Sequence, residues 1–299
     1  MSARTPVSVT VSGVARLFGH DLASLVDFAR RAEDAGVDQI AMTDHLVIGT
    51  RTDRYPYGRF PFPNEEPWPE PLVTLAAMAG ATRRIRLATA VLIAPLRSAP
   101  LLAKTVATLD ALSGGRVDLG VGVGWQAEEF AAAGIPFGRR TARMIDGLRA
   151  CRALWTATPA SFASPTASFD SLWCVPRPVQ PGGVPIWFGV APSERHVAHI
   201  VELGAGWMPV GTDLEVLRAG AARIRGAFAA AGRDPASLGV RANVAPALDV
   251  SGRVDLDRTL AESAPRAVEA GATLLAYPIA AYVRRAEDLG AFLTRLAQR

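Results

Sequence analysis

Cysteine, lysine, histidine and long apolar runs are all scarce in this chain, and each scarcity closes a class of function. Two cysteines, Cys151 and Cys174, are too few for a disulfide framework or a thiolate metal knuckle, so they read as reduced, buried thiols. Four histidines leave little for a metal centre: His196 and His199 share one helix face, but no third histidine falls near them in sequence. A metal-dependent barrel hydrolase is therefore a poor reading. No stretch approaches the roughly 18 uninterrupted apolar residues of a membrane span, and Met1 to Pro6 carry no apolar signal region, so a cytoplasmic protein without a membrane partner is expected. Lys104 is the only lysine, and the net charge of +4 is spread among acids with no basic run or interleaved aromatics. Nucleic acid is not the expected partner. The arginines that replace lysine present planar forks, which suit a carboxylate or phosphate on a small ligand.

What the chain has is alternation. Short β-rich runs are separated by longer amphipathic stretches from end to end, and 299 residues with 49% hydrophobic content can bury one large core. Strands are expected over 7–11, 38–43, 85–92, 117–121, 185–189, 206–210, 239–245 and 272–277. Helices are expected over 22–35, 72–81, 99–112, 128–133, 139–155, from 193, and over 213–231, 256–270 and 283–296. Eight β-α units predict a single-domain (β/α)8 TIM barrel over residues 1–299, with insertions after strand 2 and before strand 5. The first insertion, Leu46 to Pro71, is rich in Pro, Arg and aromatics, and loops of that length in compact domains usually act as lids or binding loops. Its aromatics predict a folded lid rather than a disordered one. The second, Thr156 to Val184, is rich in Pro and Ser and holds one candidate strand over 168–173.

In such barrels the chemistry sits at the C-terminal ends of the strands. That rule gathers Asp44 and His45 after strand 2, Ala90 to Pro95 after strand 3, Gly122 to Glu129 after strand 4, and Gly189 to Ser193 after strand 5 at one mouth. His45 directly follows an acid, and a neighbouring carboxylate can fix an imidazole's tautomer for proton transfer. The GxGxG of Gly120, Gly122 and Gly124 lacks the spacing of a dinucleotide fingerprint. Gly189-Val190-Ala191-Pro192-Ser193 opens a helix whose amides could hold a phosphate, although serine at an N-cap is also ordinary.

Taken together, Thr43-Asp44-His45, Thr89 to Pro95, Asp110-Ala111-Leu112-Ser113-Gly114-Gly115-Arg116, Gly120 to Trp125 and Leu203 to Pro209 resemble the luciferase-like monooxygenase superfamily. More narrowly, they resemble its actinobacterial branch that uses the deazaflavin coenzyme F420. The resemblance implies a metal-free barrel whose mouth holds the ring, with Asp44 on the ring and His45 as proton donor or acceptor beside hydride transfer. It implies a cis non-proline bond at Ala90-Val91 against the ring, Val123 and Gly124 along the coenzyme backbone, and Glu128 on its ribityl side. Gly189, Val190, Ala191 and Ser193 would meet its phosphate, and Arg51, Arg54, Arg59 or Arg177 its acidic tail. Trp125 stands where sugar-phosphate dehydrogenases of the family carry a relay glutamate, which argues against that activity and makes Trp125, with Trp68, a substrate-pocket wall. The resemblance implies an F420-dependent oxidoreductase moving hydride between the deazaflavin C5 and a small organic substrate, commonly as a homodimer. Two alternatives stay open: an FMN-dependent monooxygenase served by a partner reductase, and a non-catalytic F420-binding protein.

Overall fold

The computed structural model describes residues 4–19 and 21–298; the N-terminal residues 1–3, read above for a signal region, lie outside them. Eight parallel strands form the barrel: Val7–Val11, Gln39–Met42, Arg86–Thr89, Val117–Gly122, Ile186–Phe188, Gly206–Trp207, Gly239–Asn243 and Leu274–Pro278. We number them 1 to 8. Each pairs with its sequence neighbours, and strand 1 closes the ring on strand 8 with Val7 opposite Leu275. Strand 3 resumes over Leu92–Ile93 after the cis peptide Ala90-Val91, the bond expected from the resemblance.

Alternation sorts each strand between two environments. Val7, Val9 and Val11 join the large apolar core between the sheet and the surrounding helices. Ser8 and Thr10 face inward, where both accept from Arg241. The helices supply the other half of that core through apolar stripes. In Ala23–Ala35 the buried residues are Leu25, Phe28, Ala29 and Ala32, the three-and-four spacing of one helix face. Asp21 accepts from the Ala23 amide at 3.1 Å, and Gly36 ends the helix at φ 89°.

Several boundaries differ from the sequence reading. Strand 6 is only two residues long, because Met208 and Pro209 turn toward the barrel mouth. The last helix runs over Leu289–Ala297 rather than from 283, since Val283 is buried in extended conformation after the short helix Ile279–Tyr282. A helix over Val14–Phe18 and a hairpin of Ala247–Leu248 with Val254–Asp255 have no counterpart in the expected elements. The second insertion folds as an antiparallel hairpin, Ala160–Ala163 with Ser168–Leu172. No described helix is long and apolar enough to cross a membrane.

Candidate active site

The strand ends surround a cavity of about 1110 Å³. Asp44, His45, Trp68, Ala90, Val91, Val123, Gly124, Trp125 and Gly189 all line it, so strands 2 to 5 converge as expected. Glu128, Val190, Ala191 and Ser193 do not. Ser193 caps the helix Glu194–Leu203 through the His196 amide, Val190 is in the core, and Glu128 lies 3.7 Å from Arg54 at the rim. Of the arginines considered for an acidic tail, Arg54 lines the cavity; Arg16 and Arg140, not singled out from sequence, line it too. No residue of the Thr156 to Val184 insertion does, so of the two insertions only the first, among the described residues, lines the cavity.

His45 does not pair with the acid beside it. Its Nδ1 lies 3.2 Å from Glu129 Oε2, while Glu129 Oε1 accepts from the Leu46 amide at 2.6 Å. Glu129 is fully buried and His45 nearly so. A carboxylate only accepts, so a neutral imidazole facing it carries its proton on Nδ1 and keeps Nε2 bare. The sequence signal for Glu129 was weak: Glu128 and Glu129 both follow the glycine run, and only the helix Ala127–Ala132 decides which side chain turns inward.

Asp44 is engaged elsewhere. Its carboxylate accepts from Arg97 at 2.7 and 3.1 Å and from the Ile93 amide at 2.8 Å, and Arg97 also donates to Glu70 at 2.7 Å. Burial alone would lower the Arg97 guanidinium, but the hydrogen bonds and charges of Asp44 and Glu70 outweigh it and hold it above the usual arginine range. This group ties the end of strand 2 to the segment after the cis peptide and to the start of the helix Pro71–Ala81, which Glu70 caps.

The first insertion folds over His45 as an aromatic cluster. Trp68, Trp125 and Phe60 meet the imidazole edge to face, with centroids at 4.8, 5.9 and 6.1 Å. Tyr55 and Phe62 extend it, at 5.2 Å from Trp125 and 5.4 Å from Trp68 respectively. Such pairs add about 0.5–1.5 kcal/mol each beyond burial, which fixes a segment with little secondary structure. The Trp68 Nε1 donor is buried with no protein partner among the described residues.

In the same cavity, Val91 projects between two glycines. A Cβ at Gly122 would come within 2.6 Å of the Val91 side chain, and one at Gly189 within 2.5 Å. The bulge therefore needs glycine at the end of strand 4 and directly after strand 5. It presents an apolar surface, uncrowded by side chains at Gly122 and Gly189, to the same cavity as His45, and this fits the flat ring of the cofactor class implied by the resemblance.

Asp110 to Arg116, one of the two stretches most specific to the resemblance, is not at the site, whereas Gly122 to Trp125 of the other lines it. Asp110 is fully buried and accepts from the Val179 and Gln180 amides at 2.8 and 3.2 Å, while Arg116 donates to the Ala79 and Thr82 carbonyls at the end of the helix Pro71–Ala81. It is a brace for the scaffold.

Comparisons agree with this architecture. The profile of the luciferase-like monooxygenase family matches residues 3–291. An uncharacterized protein of Mycobacterium tuberculosis (strain ATCC 25618 / H37Rv) is 36% identical over 229 residues, 76% of this chain and 75% of its own. An F420-dependent glucose-6-phosphate dehydrogenase of Amycolatopsis mediterranei (strain U-32) is 33% identical over 167 residues, 54% of this chain and 46% of its own. The crystal structure of monooxygenase RslO1 from Streptomyces bottropensis superposes with a TM-score of 0.78 at 21% identity, covering 98% of both chains. A profile match over nearly the whole chain, on a closed eight-stranded barrel with this mouth, shows that the chain belongs to the luciferase-like monooxygenase family.

Proposed function

We propose that the protein is an F420-dependent oxidoreductase acting on a small organic substrate. The observation that carries this reading is the juxtaposition of His45, braced on buried Glu129, with the glycine-flanked Val91 surface in one cavity. Support for F420 rather than FMN comes from the relative named for that coenzyme. When bound, the deazaflavin supplies hydride chemistry at C5, and the protein supplies orientation and proton management. Val91, Gly122 and Gly189 would hold the ring on one face, and Val123 and Gly124 would approach its side chain. His45 Nε2 would give or take the proton that accompanies hydride transfer. The aromatic cluster excludes water around that imidazole. Trp125, 5.9 Å from His45, makes the substrate side apolar where a relay acid would make it polar.

Titration with F420 and, separately, FMN, followed by cofactor fluorescence, tests the reading. Micromolar F420 binding with much weaker FMN supports it; tight FMN without F420 moves the protein to the monooxygenase alternative, and binding of neither removes the function. His45→Ala then separates enzyme from carrier: turnover should fall far more than coenzyme affinity, whereas equal small effects on both indicate a binder.

A further inference from the structure

One group in the cavity has no part in the chemistry described above. Arg241, on strand 7, is 4% exposed and lines the cavity with Thr10 and Asn243. Its Nε lies 3.2 Å from Ser8 Oγ and 3.1 Å from Gln39 Oε1, and its Nη2 lies 2.9 Å from Ser8 Oγ and 2.6 Å from Thr10 Oγ1. Every one of these partners is neutral. Asp118, the acid reached through Gln39, is spent on Arg86, whose two donors meet it at 2.7 and 2.6 Å. Among the described residues Arg241 enters no ion pair, and its Nη1 donates to none of them. Burial pushes this guanidinium down to about 10, so it remains a cation at neutral pH.

Its surroundings are as unusual as its charge. TIM-barrel interiors are normally filled by bulky branched side chains. Here the inward positions of strands 2 to 4 are Gln39, Ala41, Arg86, Ala88, Asp118 and Gly120, polar or small residues with no bulky branched side chain among them. The cavity that opens at the mouth also reaches a polar floor of Thr10, Ser12, Asn243 and Arg241. A buried charge with no ion-pair partner among the described residues, offset only at a distance by Asp118, is costly, and a fork already fixed by three acceptor side chains loses little freedom on meeting an anion.

We propose that the substrate carries a carboxylate, which binds Arg241 at the cavity floor while the apolar body of the same molecule lies against the aromatic cluster above. The proposal rests on this cavity being the substrate site of the function proposed above, and it names the substrate class. Thr10 and Asn243 flank the carboxylate. Selectivity follows from charge: an amide of the same shape offers no anion to offset the guanidinium.

The test is titration of the purified protein with benzoate, 3-phenylpropanoate and 4-phenylbutanoate, and with the matching primary amides, followed by tryptophan fluorescence. At least one carboxylate is expected to bind tenfold or more tightly than its amide. Arg241→Gln should bring that ratio near one, and Arg241→Lys should keep part of it. F420 titrated into both variants separates this proposal from the assignment of the coenzyme: its affinity should be unchanged. No carboxylate preference in the wild type overturns the proposal whether or not the variants fold. So does a preference that survives in folded Arg241→Gln, or a loss of F420 affinity there with the preference intact, which would give Arg241 to the coenzyme. Failure of F420 to bind the wild type, with the carboxylate preference present, would remove the coenzyme reading and leave this one standing.

Discussion

Glu129→Gln is the substitution that isolates how His45 is controlled. The carboxylate bridges the Leu46 amide at 2.6 Å and His45 Nδ1 at 3.2 Å, from a position with no solvent exposure. Glutamine has nearly the same shape, and its amide oxygen can keep the Leu46 bond. Its NH2 group, however, donates where the carboxylate accepted. The neutral imidazole then reverses its tautomer, placing the proton on Nε2 and leaving Nδ1 to accept. Hydrogen bonds to a charged group contribute about 1.5–3 kcal/mol and neutral ones about half, so the expected loss is about 1–2 kcal/mol. For a chain of this size that is a fall of roughly 1.5–3 °C in Tm. The effect on proton transfer should be much larger, within the roughly 10²–10⁴-fold span of general acid–base catalysis, because Nε2 is no longer the free base. Imidazole 15N chemical shifts read the tautomer directly, without a known substrate, and a His45→Asn spectrum assigns the resonance. Wild-type protein with a bare Nδ1, or identical spectra for wild type and Glu129→Gln, would refute the reasoning.

Three further outcomes follow from other parts of the structure. Gly122→Ala and Gly189→Ala drive a methyl to 2.6 and 2.5 Å from Val91, so each should cost about 1–3 kcal/mol in chemical denaturation and weaken F420 at least tenfold; unchanged affinity would mean that Val91 does not support the ring. Asp110→Asn exchanges a charged acceptor of the Val179 and Gln180 amides for a neutral one, and should cost about 1–2 kcal/mol while leaving coenzyme affinity alone. The carboxylate preference assigned to Arg241 should be level through neutral pH and decline as pH rises through about 10, where the free guanidinium loses its proton. The sign for stability is the reverse. Because the folded pKa lies below that of the unfolded chain, the unfolded state holds more protons in that window, and the cost of burying this charge is relieved as pH rises. A preference that persists well above that pH would place the anion on another group.

The sequence made the barrel legible because its information is periodic. Strand 1 alternates valine with serine and threonine, so one face meets the helices and the other the interior. The stripe of Leu25, Phe28, Ala29 and Ala32 needs only helical geometry to be recognised. Boundaries failed where tertiary contact overrides local preference. Val283 lies inside an apparent helical pattern, yet it is extended because its side chain is buried between two short elements. The mouth was legible in outline for a similar reason: residues at strand ends converge whatever their identity, and nine of those proposed do line one cavity.

Partnership was the part that could not be read along the chain. Asp44 is adjacent to His45, and adjacency suggested a pair, but neighbours at the end of a strand point to opposite sides. The aspartate turns to Arg97, 53 residues on, and the histidine to Glu129, 84 residues on. Arg241 was passed over for the same reason. In sequence it is an arginine within an apolar strand, and only closure of strands 7, 8, 1 and 2 shows that Ser8, Thr10 and Gln39 hold it beneath the cavity. A polar residue at an inward strand position is thus the signal to seek in this fold. The interior has to satisfy that residue, and where the protein's own side chains leave a charge without an ion-pair partner, the remaining partner has to enter through the mouth.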